Sequence, residues 1–317
     1  MTDSASIAPR EFIVLDTWVL ADFTRGSLAN HLSNLVLELD LTILVDILAL
    51  VELYDPRRIR FLILGRTRAA SEFLVDHPSC LVNPQELLLA EVRAYPTPLH
   101  QIPLVTDLQS LHWSTREYLL MGLFRRNQEL LSLGLDLGAW AKDYEASKSS
   151  WPETVQAIID HAAGAGILCK RRDGSIDLDK SDKQGFLSYL DRRFLRRGFH
   201  QRANRHELRS ITENMRELSY GGTSTLPAVR LTSLAFWHAY VDTEKAYPAR
   251  RRGSDLGDLY RIALLPYCRY FTADSAMERI LNRVLADSPQ RATVLGPDGF
   301  RQFLDKYEPE PGSLLRY

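Results

Sequence analysis

Short apolar runs alternate with helical patterns in the first hundred residues of the chain. The runs EFIVLD, LTILVD and SCLV consist largely of β-branched and other apolar residues and predict buried strands. Between them, SLANHLSNLVLELD and ILALVELY carry apolar residues at helical spacing, and Ser27 is placed as the N-cap of the first. This alternation predicts a mostly parallel sheet with helices on both of its faces.

The strand pattern is absent between about residues 100 and 225 and returns near the C-terminus. The middle of the chain is helical in pattern, most clearly in STREYLLMGLFRRNQELLSLGL and QGFLSYLDRRFLRRG. CRYFTAD and RATVLG then predict two further strands. We therefore expect one three-layer α/β/α domain formed by residues 1–100 and 226–317. Residues 101–225 are expected to form a largely helical insertion that binds substrate or a protein partner.

Composition and charge limit the functional classes. The chain has 317 residues with 39 basic and 40 acidic side chains, so any affinity for nucleic acid must come from a local patch. Three cysteines far apart in sequence argue against a disulfide framework or a zinc knuckle. No basic start or apolar run opens the chain, and acidic residues interrupt its most apolar segment, residues 35–51. We expect a cytoplasmic protein without a signal peptide or a membrane span.

Several carboxylates follow the predicted strands or lie on neighbouring helices. Asp16 and Asp274 each end a predicted strand. Glu52 lies on the helix after the second predicted strand, and Asp258 precedes the apolar run before the fourth, CRYFTAD. Ligand sites of parallel sheets lie outside the carboxyl ends of the strands, so these side chains are expected at one edge. Each alone is also explained as a helix cap or a solvated helix residue, whereas their joint occurrence favours a site for Mg²⁺ or Mn²⁺, which prefer oxygen ligands.

These residues resemble the motifs of the PIN-domain nuclease family, in particular its longer bacterial branch. The motifs are VLDTW with Asp16, ALVELY with Glu52, GDLYRIALLPYC with Asp258, and TAD with Thr272 and Asp274. The resemblance covers roughly residues 11–100 and 226–300 and does not explain the helical middle. It implies an endoribonuclease in which the four acids hold Mg²⁺ or Mn²⁺ and water activated by the metal attacks the phosphodiester.

Several assignments stay open within this resemblance. Asp255 lies three residues before Asp258, on the same face of a helix, so either or both can serve as the third acid. Glu91 also lies on an apolar helix after a strand, where a structural role is the simpler interpretation. Trp18 stands where the family commonly has a small polar residue, and it either narrows the site or packs beneath it. Arg261 replaces a frequent His and is a candidate contact to the substrate phosphate.

Arginine-rich segments are candidates for contact with a single-stranded RNA. Residues 192–209 carry seven arginines against one glutamate, and their role is either phosphate binding or that of a solvated helix face. A second basic run leads directly into the acidic segment near residue 255. The predicted substrate-binding residues are Thr17, Thr272, Arg196, Arg197, Arg251, Arg252 and Arg261.

Two other functions agree with the same sequence. A PIN-like scaffold that has lost catalysis would act as a binding or assembly module, and a Trp18 side chain that fills the rim would favour this function. A structure-specific DNA nuclease would use the same acids and would be separated from a ribonuclease by offering RNA and DNA of one sequence. A homo-oligomer is compatible with either function.

Overall fold

The computed structural model describes residues 11–53, 64–112, 115, 131–132, 137–199, 226–242 and 255–307, except Pro96, Pro98 and His100. The protein is α/β, with six strands of the described residues in one sheet of order β4-β3-β2-β1-β5-β6. The strands are β1 Glu11–Val14, β2 Leu41–Asp46, β3 Ser79–Val82, β4 Leu104–Asp107, β5 Tyr270–Thr272 and β6 Thr293–Leu295. All neighbouring strands are parallel except β3 and β4. The predicted mostly parallel sheet is therefore confirmed.

Helices occupy most of the remaining described chain. They are α1 Thr17–Asp22, α2 Gly26–Glu38, α3 Ile47–Leu53, α4 Leu64–Asp76, α5 Pro84–Ala94, α6 Leu137–Ser149, α7 Trp151–Gly164, α8 Lys183–Phe199, α9 Pro227–Phe236, α10 Asp255–Arg261, α11 Ser275–Asp287 and α12 Pro297–Leu304. A 3₁₀ segment, Ile262–Tyr267, joins α10 to β5. Within the described ranges, every helix is too short or too polar to cross a lipid bilayer.

Successive side chains of the strands enter two hydrophobic cores, which lie on opposite faces of the sheet. The first core contains Val14 and Leu44 and is completed by helices that include α5, α7, α8, α9 and α11. The second contains Ile13 and Ile43 and is completed by α1 to α4 and α12. Helices of the middle region, represented by Trp151 of α7, therefore pack into the same core as the sheet.

Two local predictions are wrong. Strand β4 lies in the region predicted to contain no strands, where it pairs with β3 and extends the sheet past residue 100. Its four residues, LVTD, are all only half-buried, so this edge strand lacks the apolar run that marks a central strand. The N-cap of α2 is Arg25 instead of Ser27, because Gly26 already belongs to the helix. The predicted helix at residues 114–135 falls almost entirely outside the described residues.

The order in which the chain adds strands to the sheet reverses at β1. The chain passes from β1 to β2 to β3 on one side, and later places β5 on the other side of β1. In parallel sheets, the crevice at such a reversal, outside the carboxyl ends of the strands, is the usual location of a ligand. Asp16 follows β1 at this position and Asp274 follows β5.

Candidate active site

Thr272 joins the carboxyl ends of β1 and β5. Its hydroxyl accepts the backbone N–H of Asp16 at 2.7 Å and donates to the carbonyl oxygen of Val14 at 3.2 Å. The Asp16 carboxylate in turn accepts the N–H of Thr17 at 2.6 Å and caps α1. Thr272, predicted to bind substrate, is fully buried and fixes the position of a site acid in this structure.

The guanidinium of Arg261 connects four carboxylates. Its Nη1 donates to Asp16 Oδ1 at 2.6 Å and to Asp258 Oδ1 at 3.2 Å. Its Nε donates to Asp46 Oδ2 at 3.2 Å, and Nη2 lies 3.6 Å from Glu52 Oε2. The Arg261 side chain is only 2% exposed, so its predicted contact with a substrate phosphate finds no support in this geometry.

Asp46 belongs to this cluster, although the sequence-based prediction missed it. It ends β2, its side chain is fully buried, and its Oδ1 accepts the N–H of Leu48 at 2.9 Å. The signal was present in the sequence, because LTILVD ends in an acid just as FIVLD ends in Asp16. Strand-end acids on adjacent parallel strands meet at the same edge of a sheet.

Two hydroxyl groups hold the Glu52 carboxylate. Thr17 Oγ1 donates to Oε2 at 3.0 Å, and Tyr144 Oη donates to Oε1 at 2.7 Å. Thr17 thus contacts a site acid in this structure, where a substrate contact was predicted. Tyr144 lies on α6, 92 residues from Glu52 in sequence, and no local pattern marks it as a site residue.

Asp274 lies at the exposed side of the cluster. Its Oδ1 accepts the N–H groups of Ala276 at 2.9 Å and Met277 at 2.7 Å, which makes it the N-cap of α11. Its charge raises the pKa of both Asp16 and Asp258, so it interacts electrostatically with the buried acids. The four predicted acids are thus brought to one edge of the sheet.

Burial raises the pKa of three carboxyl groups in the cluster. Desolvation is the largest cause for each, and the attraction of Arg261 only partly opposes it. The pKa of Asp16 is raised, that of Asp46 rises to about 6 and that of Asp258 to about 8. One guanidinium therefore leaves the cluster with an excess of negative charge, which favours the uptake of protons or of a further cation.

The side chains that could coordinate a metal ion in the cluster offer only carboxylate oxygens. Such oxygens fit a hard divalent cation such as Mg²⁺ or Mn²⁺. Among the described residues, Asp16 Oδ2 and Asp258 Oδ2 accept no hydrogen bond. In the same part of the chain, however, no group of three or more Asp, Glu, His or Cys side chains is arranged to hold a metal ion. In this arrangement the Arg261 guanidinium contacts Asp16, Asp46, Glu52 and Asp258.

The structure places two other candidates away from this cluster. Trp18 is half-buried and packs against the second core, with its ring centroid 5.4 Å from that of Phe23 and 6.0 Å from that of Phe300. Glu91 is buried beneath the first turn of α9, where its carboxylate accepts the N–H of Ala228 at 2.9 Å. The side chains that lie outside the described residues are those of Asp255, Arg196, Arg197, Arg251 and Arg252.

Comparison of the chain with family models, with curated proteins and with solved structures finds no match. A functional conclusion therefore depends on the geometry of the carboxylate cluster and on the motifs that place it there.

Proposed function

We propose that the protein is a divalent-metal-dependent nuclease that hydrolyses RNA phosphodiester bonds at this carboxylate cluster. The observation that carries the proposal is the convergence of four acids, Asp16, Asp46, Glu52 and Asp258, around the buried guanidinium of Arg261 where the strand order reverses. The residues that would hold Mg²⁺ or Mn²⁺ are Asp16, Glu52, Asp258 and Asp274.

The chain's own residues orient these acids. Thr272 fixes Asp16 against the end of β5, and Thr17 orients Glu52 through its hydroxyl. Arg261 holds the buried carboxylates together by neutralising part of their mutual repulsion. A bound divalent cation supplies Lewis acidity, which activates water and neutralises charge on the leaving oxygen.

The choice of RNA as substrate depends on the resemblance to PIN-domain nucleases. The arginines predicted to bind the strand lie outside the described side chains, so the geometry does not separate RNA from DNA. The RNA-specific and DNA-specific proposals differ in one measurable outcome, the relative cleavage of the two polymers with a common base sequence.

A second candidate function is that of a binding module without catalysis. The observation that favours it is the pairing of Arg261 with four carboxylates, which provides an internal cation where a nuclease needs a metal. The contacts of Trp18 favour the nuclease, because its ring packs against Phe23 and Phe300 at the second core. We therefore place the nuclease first.

Calorimetric titration with Mn²⁺ tests the proposal on wild type, on Asp274→Asn and on a matched control, Asp182→Asn. Asp182 accepts the N–H of Gly185 at 2.9 Å at the start of α8, so both aspartates stabilise a helix start. We expect Asp274→Asn to weaken Mn²⁺ binding at least about tenfold and to abolish cleavage, because a coordinating charge is lost. The control should bind and cleave as wild type does.

Cleavage is measured on one labelled single-stranded sequence, offered as RNA and as DNA, with Mn²⁺ or with EDTA. Metal-dependent cleavage of RNA alone supports the ribonuclease, and preferential cleavage of DNA supports a structure-specific DNA nuclease. Absence of both Mn²⁺ binding and cleavage in wild type would contradict the nuclease and favour the binding module.

A further inference from the structure

Tyr144 brings the helical middle of the chain into the carboxylate cluster. It lies on α6, which packs against α3, and its side chain is buried with 6% of its surface exposed. The hydroxyl donates to Glu52 Oε1 at 2.7 Å. The contact therefore joins two parts of the chain that lie 92 residues apart in sequence.

Gly257 shows how closely Tyr144 approaches α10. A Cβ atom at this position would lie 2.5 Å from Tyr144 Oη, 3.4 Å from its Cζ and 3.1 Å from Glu52 Oε1. The first distance is shorter than real Cβ contacts allow. Gly257 adjoins Asp258 in the helix, where glycine is otherwise unfavourable, and the approach of the tyrosine gives a physical reason for it.

The two hydroxyl groups on Glu52 come from different helices, α1 and α6. Thr17 donates to Oε2 and Tyr144 to Oε1, so each carboxylate oxygen accepts a hydrogen bond from a neutral donor, and Arg261 Nη2 lies 3.6 Å from Oε2. Neutral donors fix the orientation of a carboxylate and leave its negative charge in place. Groups that hold a metal ligand in this way control the affinity of the metal site.

We infer that Tyr144 is a positioning residue of the metal site, so that the helical middle of the chain completes the site by orienting Glu52. This inference rests on the proposed function, because it assigns Glu52 to the cation. Gly257 serves the same arrangement by leaving room for the tyrosine hydroxyl between α10 and Glu52.

The first test compares the dissociation constant of Mn²⁺ for wild type, Tyr144→Phe and Tyr189→Phe by calorimetry. Tyr144→Phe keeps the ring and removes only the donor, and we expect it to weaken Mn²⁺ binding about tenfold. Tyr189 is the matched control, because its hydroxyl accepts a hydrogen bond from Arg193 on α8 and, among the described residues, contacts no site acid. A change in folding stability alone does not alter this constant, so the measurement separates positioning from general stabilisation.

The second test is a double-mutant cycle on melting temperature, recorded in EDTA. Gly257→Ala should lower the melting temperature of wild type, because the new methyl group meets the Tyr144 hydroxyl. The same change should lower it less in the Tyr144→Phe background, where the hydroxyl is absent. Any effect of alanine on helix propensity is common to both backgrounds and cancels.

The outcomes separate this inference from the proposed function. If wild type binds Mn²⁺ and Tyr144→Phe binds it equally well, the positioning role is wrong and the nuclease proposal stands. If wild type binds no Mn²⁺, the metal site and the role of Tyr144 in it both fail. Equal effects of Gly257→Ala in the two backgrounds would contradict the close approach on which the inference is built.

Discussion

Arg261 sets the charge balance of the candidate site. Its buried guanidinium contacts acids that lie in distant parts of the sequence, including Asp16, 245 residues away. A buried ion pair is costly to form, but the loss of one partner costs more, because it leaves the other charge buried and uncompensated. Here one arginine contacts four carboxyl groups, so its loss would leave the charge of the ionised ones uncompensated.

Arg261→Met should therefore lower the free energy of unfolding at pH 7 by about 3–5 kcal/mol. The loss should be smaller at pH 5, because the acids then take up protons and lose their charge. Denaturant unfolding at both pH values measures this difference. As a control, Arg283→Met breaks an exposed pair with Asp242 and should cost less than about 1 kcal/mol. Equal losses in the two variants would contradict the central role of Arg261.

Asp274 combines a structural role with a functional one, and two substitutions separate them. Asn is as good an N-cap as Asp, so Asp274→Asn should change the free energy of unfolding by less than about 0.5 kcal/mol. Asp274→Ala removes the acceptor of the Ala276 and Met277 N–H groups and should cost about 1 kcal/mol. Urea unfolding in EDTA compares the two variants. A large loss in the Asn variant would show that the charge itself stabilises the fold.

The acids at strand ends were predictable and their partners were not. Asp16 and Asp274 follow apolar strands, and parallel topology then brings them to one edge. Asp46 carries the same signal at the end of β2, although it was not among the predicted site residues. The contact of Tyr144 with Glu52 spans 92 residues and depends on how α6 packs, which no local pattern encodes.

Central strands and edge strands differ in how clearly the sequence marks them. β2 is buried along its whole length, so its apolar run was visible in LTILVD. β4 is half-buried and antiparallel at the edge of the sheet, and its LVTD sequence gave no comparable run. The start of α5 is also marked locally, because Asn83 accepts the N–H of Gln85 as the N-cap and Pro84 occupies the first turn.

Glu91 links α5 to the start of α9 and should make stability depend on pH. It accepts the N–H groups of Ala228 and Val229, and the Tyr267 hydroxyl also donates to it. Burial nevertheless raises its pKa to about 7, above the ordinary value of 4.5. The folded state therefore holds the proton more tightly, so this contribution to stability is present below pH 4.5 and is lost as the pH rises through 7.

Glu91→Gln should make the free energy of unfolding depend less on pH between 4.5 and 8, because the group that titrates in this range is removed. The measurement is the free energy of unfolding at several pH values between 4.5 and 8. Glu86→Gln, in the first turn of the same helix, is the control and should keep the slope of wild type. A slope that is unchanged in Glu91→Gln would mean that the three donors keep this carboxylate ionised throughout.

The two cores explain why the middle of the chain contributes to a site at the sheet edge. Trp151 of α7 and Phe186 of α8 pack in the same core as Val14 of β1 and Leu44 of β2. The α6 helix, which immediately precedes α7, is thereby held where Tyr144 reaches Glu52. The predicted division into a sheet domain and an insertion stays a prediction, but the described helices of the insertion are part of the sheet's packing.

The site acids should also make the stability of the folded protein depend on both pH and Mn²⁺. The pKa of Asp16 is raised, and those of Asp46 and Asp258 rise to about 6 and about 8. In EDTA their contribution to stability is therefore greatest near pH 4 and falls as the pH rises toward 8, because the folded state must release protons that it binds more tightly. Mn²⁺ requires the ionised acids, so its stabilising effect should grow over the same range.

Melting temperatures at pH 5, 6, 7 and 8, with EDTA or with saturating Mn²⁺, measure both effects. At one fixed concentration, 100 times the dissociation constant at pH 8, Mn²⁺ should add about 2.7 kcal/mol to the free energy of unfolding at pH 8. The gain should be small at pH 5, where protons compete for the same oxygens, and largest at pH 8. A gain of equal size at every pH would place the bound ion away from these acids, since only ligands that titrate in this range link metal binding to pH.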